Sequence, residues 1–166
     1  MARGRLLLTA ALGVYGLYYL FVPGHFGLID NVDLAIHETG HLVFGPFGEF
    51  IGTLGGTLLQ LIFPLVFVGY FWRRGDRHAA TVAAWWVAQN CWNISVYVQD
   101  ARAQELPLVG GGEHDWAYLL SELDVLRYDH TIGQLVRVAG MLIFAYATLR
   151  GFTYARQGSS PPPPEG

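Results

Sequence analysis

His37-Glu38-Thr39-Gly40-His41 puts two imidazoles and a carboxylate within five residues. On a helix of 3.6 residues per turn, positions i and i+4 lie one above the other, so both rings can reach one cation. Glu38 then stands beside them, where a carboxylate can take a proton from water activated at the metal. The two histidines and the glutamate could instead form a satisfied polar cluster between packed helices, or a purely structural metal site, to which Glu38 would be superfluous. The pattern therefore points to a metal, zinc by the mixed histidine and carboxylate donors, and to hydrolytic chemistry. Around it, Asp33 to Phe44 contains no helix breaker before Gly45-Pro46, which predicts a helix from about Val32 to Phe44.

The elements that must carry this motif are apolar. Of the 166 residues, 52% are hydrophobic and only 14% charged, and the mean hydropathy is +0.32. That composition points to a bilayer rather than to water. The net charge of -3 is too small and scattered for nucleic acid, and the lone Cys91 excludes an intrachain disulfide or a CxxC zinc site. Four stretches are long enough to span: 5–22, read as a retained signal anchor, then Ile51 to Trp72, Ala79 to Val98 and Thr131 to Leu149. The last two carry Gln89, Asn90, Asn93, Ser95 and Arg137, polar groups that at membrane depth face a protein interior or a cavity. The histidine helix is too short for a fifth span and reads as re-entrant or half-inserted. With that topology Arg3, Arg5, Arg73, Arg74, Arg77, Arg150 and Arg156 fall on one side. This places both termini in the cytoplasm and the metal site toward the opposite face of a multi-pass cell-membrane protein.

The expected fold is thus an all-α, polytopic membrane helix bundle of about four transmembrane helices, a short re-entrant HExxH helix and an amphipathic interfacial helix. Residues 1–155 form the membrane domain, with a lid-like extramembrane segment at 100–130, and 156–166, with four consecutive prolines, form a disordered tail. Within 100–130, Asp115 to Leu126 spaces Trp116, Leu119, Leu120, Leu123 and Leu126 as an amphipathic helix, either a lid or a plain connector. Gly48, Gly52 and Gly56 recur every fourth residue and make a smooth face for close helix packing, or for a homodimer.

A catalytic zinc takes three protein ligands and keeps a fourth position open. Asp100 is the first choice for the third, because Gln89, Asn93, Tyr97 and Asp100 form one polar stripe on an apolar helix. His114, beside Gly110-Gly111-Gly112 and flanked by Glu113 and Asp115, is the main alternative. Asp129-His130 and Glu49 are weaker candidates, the first pair being equally suited to capping a helix start.

His37-Glu38-Thr39-Gly40-His41 resembles, residue by residue, the HExGH motif of the site-2 protease class of membrane-embedded metalloproteases, including the glycine before the second histidine. In that class a later membrane helix supplies an aspartate ligand, preceded by an asparagine that helps to hold substrate. Asp100 and Asn93 occupy comparable places, although the chain reads Asn93-Ile-Ser-Val-Tyr-Val-Gln-Asp100-Ala rather than the usual Asn-x-x-Pro-x-x-x-x-Asp-Gly. The resemblance covers about residues 32–100 and implies a peptidase cleaving bonds in or beside membrane segments, with one Zn²⁺ per chain and Glu38 as general base. Asn93 or Gln89 would hold an extended substrate or its oxyanion. The implied partners are membrane lipid and a membrane-associated polypeptide. The rival reading is a non-catalytic, metal-stabilised scaffold or a subunit of a larger membrane complex; an amidase or lipid hydrolase would share the same site.

Overall fold

A computed structural model describes residues 2–22, 24–108 and 113–157. Among these there are six α-helices and no strand: α1 (Ala2–Phe21), α2 (Leu28–Phe44), α3 (Glu49–Arg73), α4 (Arg77–Gln99), α5 (Asp115–Glu122) and α6 (Asp129–Gln157). The glycine run at 110–112 and the proline tail from 158 onward lie outside the described residues. Three helices are long and apolar enough to cross a membrane: α1, α3, and α6 together with the turn before it. On these three many large apolar side chains are exposed, among them Leu7, Val14, Leu65, Val66, Leu135, Leu142 and Leu149, while the exposed charged residues lie near the helix ends. Such a surface suits lipid, which offers no hydrogen bonds and demands none.

Helix α4 is long enough to span but too polar to meet that standard, and its burial explains why. It is the central helix, packed on α6 along one side and on α3 along another. Trp85, Ala88 and Trp92 join Tyr19, Phe144 and Ala147 in one apolar core, while Gln89, Asn90 and Ser95 are buried on the same helix. None of its large hydrophobic residues is exposed, so its polar side chains answer to neighbouring helices rather than to lipid. The contact with α6 is close because Gly140 meets Trp92, where an added Cβ would sit 2.7 Å from the indole nitrogen.

Helix α2 begins four residues before the sequence pattern suggested. Gly27 precedes the first turn and donates its N–H to Asp30 Oδ2 at 2.7 Å, a short local bond that supports the helix start. The chain turns back after α1, so Asp30 packs beside Tyr19 and Gln89 rather than beyond the end of α1. From there α2 runs antiparallel to α3. The glycine face of α3 meets it as the spacing suggested, with Gly55 against Gly40, Gly56 against the His37 ring and Gly52 against Gly45. Gly48 does not take part: nothing lies within reach of an added Cβ, and its φ of 103° places it in the region that favours glycine at the turn into α3.

The expected helix over 115–126 is shorter. It stops at Glu122, and Asp124 with φ of 55° turns the chain into a single 3-10 turn at Leu126–Tyr128. Helix α5 is docked: Leu120 is buried with Ile94, Val98 and Ala101 at the end of α4. That docking delivers the first residue of α5 to the histidines.

Candidate metal centre

His37 and His41 lie one turn apart on α2 and meet edge to face, with ring centroids 4.8 Å apart. The carboxylate that meets them is Asp115. Its Oδ2 lies 2.8 Å from His37 Nε2 and 3.3 Å from His41 Nε2. One ligand atom from each residue falls within 4.8 Å of the others, and among the described residues His37, His41 and Asp115 are the group that could hold a metal ion. His37 is buried, the other two half-buried.

The hydrogen bonds on the far side of each ring decide what this group can be. His41 Nδ1 faces the backbone oxygen of Gly52 at 2.9 Å, which can only accept, so Nδ1 carries a proton. His37 Nδ1 faces Gln60 Oε1 at 3.1 Å, again an acceptor. With both Nδ1 atoms turned to acceptors, each ring directs Nε2 toward Asp115 Oδ2. The donor set, with outer hydrogen bonds orienting each imidazole, could hold a metal ion.

Asp100 and His114, the two candidates for a third ligand, are brought to each other instead. Asp100 Oδ1 and Oδ2 accept the backbone N–H groups of Glu105 and Leu106, each at 3.0 Å, and Oδ2 lies 3.3 Å from His114 Nε2. His114 is buried as the N-cap of α5, its Nδ1 accepting from Ala117 N–H at 3.3 Å. The two side chains face each other and neither belongs to the group around His37. Tyr97 of the same stripe adds a pin, its phenol oxygen accepting the N–H of Asp115 at 3.2 Å. The weaker candidate Asp129 is also engaged elsewhere, by the guanidinium of Arg102.

Glu38 is exposed and lines a cavity of about 720 Å³ together with His37, His41 and Asp115. Leu106, Pro107 and Leu108 form part of its wall, and Arg137 reaches it from α6 while donating to Leu20 O at 2.8 Å. Tyr118 lines it as well. Burial, followed by the carboxylates of Glu49, Glu122 and Glu113, pushes its phenol above the ordinary value, so it is a neutral O–H donor. The two residues implied to bind substrate are differently placed. Asn93 lines the cavity, but its Nδ2 donates to Asp30 at 3.1 Å and its Oδ1 accepts from Gln60 at 3.0 Å. Gln89 is fully buried, turned to Asp30 at 2.8 Å, and is not among the residues of the cavity wall. Both amides are committed inside the protein.

No protein-family model, no curated protein and no solved structure matches this chain.

Proposed function

We propose that this chain is a membrane-embedded, zinc-dependent hydrolase, acting on peptide bonds in or next to membrane segments. The observation that supports it best is the convergence of His37 Nε2, His41 Nε2 and Asp115 Oδ2 at the wall of a cavity that Glu38 also lines. In this reading α4 is a fourth span, and α2 is inserted only part of the way. His37, His41 and Asp115 would hold the metal, which when bound would supply Lewis acidity toward water and toward a scissile carbonyl.

The chain's own residues do the rest. Glu38 accepts a proton from the attacking water and returns it to the leaving amine, a transfer its exposed position on the cavity side of α2 permits. Gly52 O and Gln60 hold the two rings so that neither turns when substrate enters. Leu106, Pro107 and Leu108 give the cavity an apolar stretch of wall. Tyr118 is the neutral donor for the developing oxyanion, a task that the committed amides of Asn93 and Gln89 leave open.

Charge supports the orientation in this reading. Arg5 pairs with Asp76 at 3.6 Å and Gly151 packs on Thr9, so Arg5, Arg73, Arg74, Arg77 and Arg150 gather at the end of the bundle away from the histidines. Basic loops favour the cytoplasm, which puts the site toward the other face. Glu38→Gln tests the chemistry. It is expected to bind zinc as wild type does and to lower hydrolysis of membrane-segment peptides by roughly 10²- to 10⁴-fold. Undiminished turnover in Glu38→Gln would refute the mechanism.

A further inference from the structure

Asp30 lies seven residues before His37, is fully buried, and makes no contact with the metal centre. Its Oδ2 accepts from Tyr19 O–H and from Gly27 N–H at 2.7 Å, and its Oδ1 accepts from Gln89 Nε2 at 2.8 Å and Asn93 Nδ2 at 3.1 Å. These four donors take the four lone-pair sites of a carboxylate. A continuous path leads from there to the site. Asn93, having turned its Nδ2 to Asp30, must present Oδ1 on its other side, where Gln60 Nε2 donates at 3.0 Å. Gln60 must then present Oε1, which faces His37 Nδ1 at 3.1 Å.

We propose that Asp30 is a positioning residue for His37. Acting through Asn93 and Gln60, it makes Nδ1 the protonated nitrogen and leaves the Nε2 lone pair aimed at Asp115. The role rests on the metal-binding reading given above. The two histidines differ in this respect: a backbone carbonyl fixes His41, and nothing can reverse it. His37 is held by two amides in series, and an amide satisfies its neighbours equally well when turned over. The direction of the whole relay is therefore decided by the group at its far end.

This reasoning makes the isosteric change Asp30→Asn informative. Gly27 N–H can only donate, so the oxygen of the new amide stays on that side and its NH₂ faces Gln89 and Asn93. Asn93 then turns over, Gln60 follows, and an NH₂ group meets His37 Nδ1. The ring answers by moving its proton to Nε2, where a metal ligand needs a lone pair.

The experiment is a zinc titration of the detergent-purified full chain in competition with a chelating dye. Wild type, Asp30→Asn, Asn93→Leu, and each variant combined with Gln60→Glu are compared. Asp30→Asn is expected to weaken zinc binding by about 10- to 100-fold. Asn93→Leu, which cuts the relay and leaves Asp30 its other three donors, moves affinity in the same direction and serves if Asp30→Asn does not fold. Gln60→Glu, whose carboxylate accepts whichever way Asn93 lies, restores the affinity in both backgrounds. Wild-type affinity in folded Asp30→Asn or in Asn93→Leu overturns the proposal. A loss that Gln60→Glu does not restore also overturns it, because Asp30 is then only a structural group. Failure of the wild type to take up zinc is a different result: it removes the metal reading itself, and the positioning role with it.

Discussion

Replacing Gly40 by alanine adds one carbon where α2 crosses α3. Built on the backbone, that Cβ would sit 2.2 Å from Gly55 O, 2.7 Å from Gly55 C and 2.8 Å from Gly56 Cα. All three are main-chain atoms of a packed helix, so no side chain can swing away. Restoring ordinary contact distances requires the helices to part by at least about 1 Å. Overpacking of this kind costs about 1–3 kcal/mol, offset by the ~1 kcal/mol that alanine gains over glycine in a helix. The fold should therefore survive. The site should not survive as well, because both outer hydrogen bonds cross this interface: His41 Nδ1 to Gly52 O at 2.9 Å and His37 Nδ1 to Gln60 at 3.1 Å. Lengthened by about 1 Å, neither remains a hydrogen bond, and loss of such support weakens metal binding by about 10- to 100-fold. The assay is zinc affinity alongside thermal unfolding, with Gly45→Ala as control, since nothing lies near an added Cβ there. Wild-type zinc affinity in Gly40→Ala would refute the reasoning.

Three further outcomes are expected. In Gly56→Ala the new Cβ would lie 2.5 Å from His37 Nε2, so zinc affinity should fall more than thermal stability does; equal affinity to wild type would contradict the packing described. Adding zinc at about 1,000 times its dissociation constant should stabilise the metal-free protein by ~4 kcal/mol, read as a rise in Tm that excess chelator reverses. A Tm indifferent to zinc would count against the site. Arg102→Ala removes a two-point contact to fully buried Asp129, at 2.8 Å through Nε and 2.8 Å through Nη2. It should lower Tm while leaving metal content intact, with Arg102→Lys intermediate because lysine lacks the fork. An unchanged Tm in Arg102→Ala would show that Asp129 does not need this partner.

Periodicity and hydropathy made the helices legible because each depends on its own residues. The expected stretches Ile51 to Trp72, Ala79 to Val98 and Thr131 to Leu149 fall within α3, α4 and α6, and 5–22 overruns the end of α1 by one residue. The pairing of His37 with His41 was legible for the same reason, being a local consequence of helical spacing. Asp115 was not, since choosing among Asp100, His114 and Asp115 depends on how the chain folds back after α4. The polar stripe Gln89, Asn93, Tyr97, Asp100 did mark the inner wall, but its members act by holding other groups: Asp30, Gln60, the N–H of Asp115 and the loop before α5. One signal for Asp115 was available. It follows a residue able to cap the N-terminus of α5, so docking that helix end against the histidines presents its first carboxylate. Gln60, on an otherwise apolar span, was the corresponding signal for the support of His37.

The most direct test of the metal centre is elemental analysis of detergent-purified protein, comparing wild type with His41→Ala, Asp115→Ala and Asp100→Ala. The account predicts about one zinc per chain in wild type, lost in His41→Ala and Asp115→Ala and retained in Asp100→Ala. Folded wild-type protein that carries no metal, or zinc that persists without Asp115 and disappears without Asp100, would contradict it.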